Sequence, residues 1–232
     1  MFKETTIRAL AAIVVTMAFG GVARADFVTI DLTPYVNSDL SMYTDGWNYP
    51  QGGSMLTVDG TPFTLASIGP NNDLGIIQAS GSSYDSYDIP VNLFGVTSAD
   101  VLTNSAWGVC GSDVGEIDFV GSSGTYVYSL TEGNNIRDHF QGSFCNSATG
   151  VSGTANFGPD RLDLNAITLP AAFAGETLES IDFISYGKGQ LGAPFLAGLT
   201  VDPDPMPTAP EPSSLIFLSC AMAAIVLKRR FQ

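Results

Sequence analysis

The sequence predicts an all-β protein, a single β-sandwich flanked by two apolar ends. Between those ends, apolar residues alternate with polar ones in short runs, which is typical of half-buried strands. The runs are separated by Gly, Asn, Asp, Ser and Pro, and the chain of 232 residues holds 25 glycines. No segment between the ends shows the apolar period of an amphipathic helix. Many short strands with glycine-rich turns favour a sandwich.

The predicted strands follow one another along the chain, each with apolar residues on one face. They contain Val28, Ile30 and Leu32, then Ile89, Val91 and Leu93, then Ile117 and Phe119, then Tyr126, Tyr128 and Leu130, then Leu162 and Leu164, then 178–184 and 195–201. Gly121 and Gly124 predict a turn between the third and fourth of these. The exception is 170–175, where three alanines favour a single helical turn.

The N-terminal 25 residues have the organisation of a secretory signal peptide. Lys3 and Arg8 precede an apolar run, and Ala23-Arg24-Ala25 provides the small side chains that signal peptidase requires. We therefore expect residues 1–25 to be removed and the exported chain to begin at Asp26. A retained N-terminal anchor is the alternative, although the apolar stretch is short for a membrane span.

The C-terminus combines three features in a fixed order. Pro210, Glu211 and Pro212 form a triplet that the prolines hold extended. An apolar run of 13 residues, 215–227, follows, and a helix of that length spans about 20 Å of a ~30 Å hydrocarbon core. The basic group Lys228, Arg229 and Arg230 then acts as a stop-transfer signal.

This order resembles the PEP-CTERM sorting signal of exported bacterial proteins. The resemblance implies that residues 210–232 are a transient membrane helix and that an exosortase, a membrane-embedded transpeptidase-like enzyme, reads the triplet. Residues 202–209 form a proline-rich linker, so the sandwich domain is predicted at 26–201. The alternative is an ordinary single-span anchor after a linker.

The charge balance excludes some classes of partner. Six of the nine Lys and Arg and two of the 23 Asp and Glu belong to the two ends. Residues 26–209 therefore hold three cations and 21 acids, a net charge of −18. Such a surface repels nucleic acid and anionic lipid, so it serves solubility outside the cell or attracts divalent cations.

Two of the three cysteines lie in the exported domain. Export to an oxidising compartment favours a disulfide between Cys110 and Cys145. The alternatives are two free thiols or a metal pair, for which His139 would be the only further soft ligand. Cys220 lies in the C-terminal apolar run.

The middle of the chain has a second resemblance. Its segments are 61–65, 88–93, 101–108, 116–120 and 133–138, with the turn at Gly124 between the last two. In this order they resemble the jelly-roll pattern of galactose-binding-like modules that accompany secreted glycosidases. The resemblance implies a jelly-roll-like sandwich.

Catalytic constellations are scarce. His139 is the only histidine and has Asp138 and Ser143 beside it, whereas triad members come from separate segments; we expect a surface or strand-end residue. Asp113, Glu116 and Asp118 could supply a pair of catalytic carboxylates. However, Glu116 and Asp118 alternate with apolar residues, as on the wet face of a strand. A non-catalytic protein is therefore predicted.

Two kinds of ligand site remain candidates. Acidic residues in Asx-rich turns could bind calcium, the one cofactor that the sequence suggests. The candidate clusters are Asp73 with Asn71 and Asn72, Asp85 with Asp88, and Asp160 with Asp163. Aromatic rings beside polar groups could stack on sugars; these are Tyr43, Trp47, Tyr49, Tyr84 and Tyr87. For both sets the alternative is a structural role, as turn residues or as plugs of the sandwich ends.

The sequence thus predicts an exported, non-catalytic bacterial surface or extracellular-matrix protein. It would be cut by signal peptidase, sorted through its tail by an exosortase-like enzyme, held transiently in the inner membrane and then placed at the cell surface or outside it. Extracellular polysaccharide is the candidate partner. The alternative is a secreted glycan-active enzyme.

Overall fold

The computed structural model describes residues 27–43, 49–78, 84–142, 144–187 and 191–203, apart from the side chain of Tyr43. The predicted signal peptide with Asp26, the tail 210–232 and Trp47 lie outside the described residues. Within the described residues no helix is long and apolar enough to cross a bilayer.

Fourteen strands and two short 3₁₀ helices make up the described chain. The first seven strands are β1 (Val28–Thr29), β2 (Ser38–Asp39), β3 (Met55–Val58), β4 (Thr61–Thr64), β5 (Ser67–Ile68), β6 (Asp73–Gln78) and β7 (Asp85–Phe94). The others are β8 (Val96–Ala106), β9 (Asp113–Gly121), β10 (Thr125–Thr131), β11 (Gly153–Phe157), β12 (Asp160–Thr168), β13 (Thr177–Ser185) and β14 (Ala193–Pro203). The 3₁₀ helices span Leu40–Tyr43 and Ala171–Gly175.

The named strands pair antiparallel in two main sheets and one hairpin. The eight-stranded sheet has the order β11-β12-β8-β14-β6-β2, with β1 paired to β14 and β5 to β6. The four-stranded sheet has the order β10-β9-β13-β7, and β3 pairs only with β4. The two main sheets enclose the larger of two apolar cores.

The eight-stranded sheet is buried on both faces. Along β8, Val101 belongs to the core between the sheets, whereas its neighbour Leu102 belongs to a second core on the opposite face. The β3–β4 hairpin covers that second core with Val58 and Phe63. The molecule therefore has three layers, because the inner sheet needs an apolar cover on each side.

The prediction of an all-β sandwich is confirmed. The predicted runs lie in β7, β9, β10, β12, β13 and β14, whereas the first run, 28–32, is strand only at Val28–Thr29. The turn before Gly124 joins β9 to β10, and the alanine-rich segment forms the second 3₁₀ helix. Two features differ from expectation. The hairpin layer was not predicted, and β14 continues two residues beyond 201 because Asp202 and Pro203 still pair with β8.

Candidate functional site

Exposed apolar side chains gather at one end of the sandwich. Eleven large apolar residues in the described part of the chain are exposed, and five of them come from three neighbouring loops. We call these five the loop cluster: Trp107, Val109, Phe140, Phe144 and Leu191, with exposed fractions of 37–59%. Grouped apolar exposure of this kind marks interaction sites in soluble proteins.

Main-chain bonds hold the three loops together. The Cys145 N–H donates to the Gly108 oxygen at 3.0 Å, and the Val109 N–H donates to the Leu191 oxygen at 3.0 Å. The predicted Cys110–Cys145 disulfide is confirmed, with a Cα–Cα distance of 5.0 Å. The loop cluster is therefore fixed to the sandwich end by covalent and hydrogen bonds.

Asp138 anchors two members of the loop cluster. It is 2% exposed, and its two carboxyl oxygens accept the N–H groups of Trp107 at 2.7 Å and Phe140 at 2.8 Å. Burial raises the pKa of Asp138, while these two hydrogen bonds and the nearby Arg161 counteract the rise. One side chain thus positions the main chain beneath two exposed rings.

Two of the exposed aromatic residues have an unusual main chain. Trp107 and Phe144 hold φ angles of 60° and 58°, the left-handed region that bulky residues rarely adopt. Such conformations persist only where the surroundings impose them, and they concentrate at ligand-binding sites. The backbone geometry therefore marks Trp107 and Phe144 as candidate functional residues.

Buried charges support the segment 137–146 from below. Asp163 is fully buried and accepts hydrogen bonds from Arg137 Nε at 2.8 Å and from Asn104 Nδ2 at 2.7 Å. Thr154 donates to its other oxygen at 2.7 Å. The hydrogen bond and charge of Asp163 raise the pKa of Arg137, so the guanidinium group stays charged at any ordinary pH.

Arg161 completes this support. Its guanidinium donates to the main-chain oxygen of Asp138 at 2.7 Å and to Asn146 Oδ1 at 2.7 Å. Arg137 and Arg161 are the two Lys or Arg residues in the described part of the chain. Both therefore serve to fix one loop, and the described surface has no exposed cation.

His139 was expected at the surface or at a strand end; the surface position is wrong, while its main chain bonds to Ser105 near the end of β8 and to Arg161 at the start of β12. His139 is 4% exposed, and its Nδ1 lies 3.0 Å from the Tyr49 hydroxyl. Burial, helped by the charge of Arg161, lowers the pKa of His139 to about 4. The ring is therefore neutral at physiological pH and belongs to the structure beneath the loop cluster.

The structure separates the predicted aromatic residues that it describes. Tyr49 packs against the second core with its ring 5.5 Å from that of Phe157. Tyr87 packs against the core between the sheets and accepts a hydrogen bond from Asn37. Tyr84 is exposed ahead of β7. Trp47 and the side chain of Tyr43 lie outside the description, so this set remains a prediction.

The calcium candidates are also dispersed. Asp73 lies with Tyr49 in a cavity of about 410 Å³, whereas Asp85 and Asp88 differ by three positions along β7 and so point to opposite faces. Asp160 and Asp163 are likewise three positions apart, on β12. No group of three or more His, Cys, Asp or Glu within the described ranges could hold a metal ion.

The acids proposed as a catalytic pair lie on the wet face of the four-stranded sheet, as the alternation predicts. Ile117 and Phe119 are fully buried and Glu116 and Asp118 partly exposed. Glu116 accepts a hydrogen bond from the Tyr186 hydroxyl at 2.6 Å. Burial and, to a lesser extent, the charges of Glu116 and Asp182 raise the pKa of Asp118 to about 6.

Sequence reasoning did not single out the loop cluster. Its members come from three segments that are far apart along the chain, and no periodicity connects these segments. The available signal was an aromatic or aliphatic residue within three positions of each paired cysteine: Trp107 and Val109 before Cys110, and Phe144 before Cys145.

Comparison with known proteins adds little. No protein-family model and no curated protein matches the chain. One solved structure with similarity is CBM27-1 of Caldicellulosiruptor saccharolyticus in complex with mannohexaose, with a TM-score of 0.35 and 10% sequence identity, covering 78% of this chain and 99% of that one. A likeness this distant supports neither a fold assignment nor a ligand for this chain.

Proposed function

We propose that this chain is an exported, non-catalytic surface or extracellular-matrix protein that binds carbohydrate through its loop cluster. Its jelly-roll-like sandwich is the scaffold, and its C-terminal tail is the sorting signal. The observation that carries the proposal is the left-handed main chain of Trp107 and Phe144 beneath exposed aromatic side chains.

The loop cluster has the features that sugar recognition needs. Exposed aromatic rings can stack on the C–H faces of pyranose sugars. A polar group lies on the same loops: Gln141, which is exposed, follows Phe140 and can bond hydroxyl groups. The disulfide and Asp138 hold the loops in place before binding, which reduces the entropy lost on binding.

The negative charge of the surface indicates which class of polysaccharide it can bind. Apart from five buried acids, every Asp and Glu in the described ranges is at least partly exposed, while Arg137 and Arg161 are engaged with Asp163 and Asp138. On the part of the surface that the structure describes, a polyuronate or a sulfated glycan would find no cationic partner. We therefore assign a neutral polysaccharide as the ligand.

The experiment compares Trp107→Ala and Phe144→Ala with a matched control, Phe94→Ala. Phe94 is an equally exposed aromatic residue, at 50%, on β7. Binding of the full chain in mild detergent is measured against neutral polysaccharides, polyuronates and neutral liposomes. We expect binding to a neutral polysaccharide that falls at least about tenfold in the two cluster variants, in line with aromatic anchors elsewhere, and is unchanged in the control.

Two results would overturn the proposal. Binding to liposomes alone, lost in both cluster variants, would show that the loop cluster inserts into lipid. Retention of full polysaccharide affinity in both variants would show that the sugar binds elsewhere on the chain.

A further inference from the structure

Glu132 lies directly beneath the loop cluster and is buried in an unusual way. It follows β10, its side chain is 1% exposed, and neither carboxyl oxygen has a hydrogen-bond partner among the described residues. The hydroxyl of Ser105, which is its polar neighbour on β8, is also buried without a partner. Buried polar groups in this state need an explanation.

The carboxyl group touches the main chain of two loops. A Cβ atom at Gly108 would overlap the Glu132 carboxyl group, and a Cβ atom at Gly192 would lie 2.7 Å from its Oε1. Gly108 joins Trp107 to Val109, and Gly192 follows Leu191, so both glycines connect directly to the loop cluster. Any outward movement of this carboxyl group therefore moves the loops that bear the exposed residues.

Among the described residues, the surroundings of Glu132 contain no compensating cation. The groups beside Glu132 are Asp138, the Ser105 hydroxyl on β8 and the apolar side chain of Val114 on β9. Val114 also contacts the Gly192 position. The guanidinium group of Arg161 binds Asp138 and Asn146 instead. Burial, with a smaller contribution from Asp138, raises the pKa of Glu132 to about 7, and Ser105 opposes part of that rise.

Protonation of Glu132 allows a hydrogen bond between its carboxyl group and the Ser105 hydroxyl. The neutral carboxyl group can donate its O–H to the Ser105 oxygen, which pairs a buried acid with a buried hydroxyl. The ionised form instead places a second buried negative charge near Asp138, with the Ser105 hydroxyl as the one side-chain donor among the described residues that opposes the rise in its pKa, and such a charge draws in water or moves toward it. Movement toward water is outward, through the loops.

We propose that Glu132 is a proton-operated switch that keeps the loop cluster ordered and able to bind ligand when neutral, and loosens loops 107–112 and 191–193 when ionised. The effect on ligand binding rests on the proposed carbohydrate-binding function. The effect on the loops does not, so the two can fail separately.

The loop movement is tested without any ligand. Hydrogen–deuterium exchange of the full chain is measured at pH 6 and pH 8, corrected for the intrinsic pH dependence of exchange. The wild type should lose protection in 107–112 and 191–193 at pH 8, while β9 stays protected. In parallel, a Trp47→Phe background leaves Trp107 as the only tryptophan of the two in the chain, and its emission should shift with a midpoint near pH 7.

Glu132→Gln removes the proton equilibrium while keeping the shape of the side chain. This variant should show no emission or exchange change between pH 6 and pH 8. The matched control Glu179→Gln, an exposed acid on β13, should titrate like the wild type. If polysaccharide binds, its wild-type affinity should fall about tenfold from pH 6 to pH 8 and stay constant in Glu132→Gln.

Three results overturn the switch. The wild type could keep equal loop protection at both pH values, or Glu132→Gln could retain the wild-type transition. Added calcium could restore protection at pH 8, which would show that a cation rather than a proton satisfies the carboxyl group. If the loops titrate as expected but no polysaccharide binds at any pH, the switch stands and the carbohydrate-binding function fails.

Discussion

Trp107 and Phe144 share a left-handed main chain, with φ of 60° and 58°, on two segments joined by the hydrogen bond from Cys145 N to Gly108 O. Neither conformation is favourable for a residue with a large side chain. Glycine would adopt it freely, yet aromatic residues occupy both positions. The fold therefore maintains local strain while exposing aromatic side chains, which indicates a role for the rings outside the core.

Replacing Phe144 by Gly should separate stability from binding. Its left-handed conformation costs about 1 kcal/mol, and its ring is 59% exposed, so little buried area is lost. We expect the free energy of unfolding to stay the same or rise by up to about 1 kcal/mol, while polysaccharide binding weakens. Urea denaturation and affinity electrophoresis give the two values.

Phe94→Gly is the matched control for that substitution. Phe94 has a similar exposed fraction but lies in β7 opposite Thr177, without a left-handed φ. There glycine should lower the free energy of unfolding by about 1 kcal/mol, because it weakens a strand. An equal loss in both variants would show that Phe144 stores no strain.

The disulfide should stabilise both the domain and the loop cluster. Cys110 and Cys145 are 35 residues apart, and a bridge over that separation contributes about 4 kcal/mol in the chain-entropy model. The variant with Cys110→Ala and Cys145→Ala should lose that amount in urea denaturation and bind polysaccharide more weakly. Cys220→Ala, outside the predicted domain, should change neither value.

Reduction of the unmodified protein provides an independent measurement. Dithiothreitol should lower the unfolding midpoint of the wild type to that of the double alanine variant and should not change the variant. A midpoint that does not respond to reductant would contradict the assignment of a structural role to this bridge.

The sequence predicted strands best where one face is wet. Along β9, Ile117 and Phe119 are buried and Glu116 and Asp118 are partly exposed, so the alternation was visible. It was not visible along β14, where 193–201 are all buried because the sheet is covered on both sides. A strand buried on two faces is a continuous apolar run, so periodicity cannot show the third layer.

The candidate site was harder to predict because it depends on long-range pairing. His139 was expected at the surface, but Tyr49, 90 residues away in sequence, covers it. Trp107, Phe144 and Leu191 meet only after β8 has paired with β14 and the disulfide has formed. By contrast, the disulfide could be predicted from the two cysteines of the domain and from the predicted export, because both can be read from the sequence.

The tail prediction concerns residues outside the described chain. If the Pro210-Glu211-Pro212 triplet is read by an exosortase-like enzyme, Glu211→Ala should accumulate uncleaved in the membrane fraction of the native host, while the parent appears in a shorter form. Because Glu211 lies outside the apolar run, the substitution changes the transfer free energy of that run very little. Equal masses and equal fractionation would indicate an ordinary membrane anchor.

A row of three aspartates crosses the outer face of the four-stranded sheet. Asp182 on β13 lies opposite Asp88 on β7 and opposite Asp118 on β9. Like charges directly opposite one another destabilise a sheet. Burial and then the charge of Asp88 raise the pKa of Asp182, and the pKa of Asp118 is raised to about 6.

These raised pKa values determine how stability depends on pH. A carboxyl group whose pKa is higher in the folded state holds its proton there after the unfolded chain has lost it, so the free energy of unfolding falls as pH rises from about 4 to about 6.

Asp182→Asn should remove part of this fall and raise the free energy of unfolding by about 1 kcal/mol at pH 7, with a much smaller effect at pH 4. Added salt should reduce the gain, since it screens the repulsion. The control is Asp31→Asn. Hydrogen bonds from Thr33 lower the pKa of Asp31, so in this variant the fall in the free energy of unfolding between pH 4 and pH 6 should be unchanged. A gain for Asp182→Asn that is equal at pH 4 and pH 7 would mean that packing, not charge, limits the stability of this sheet face.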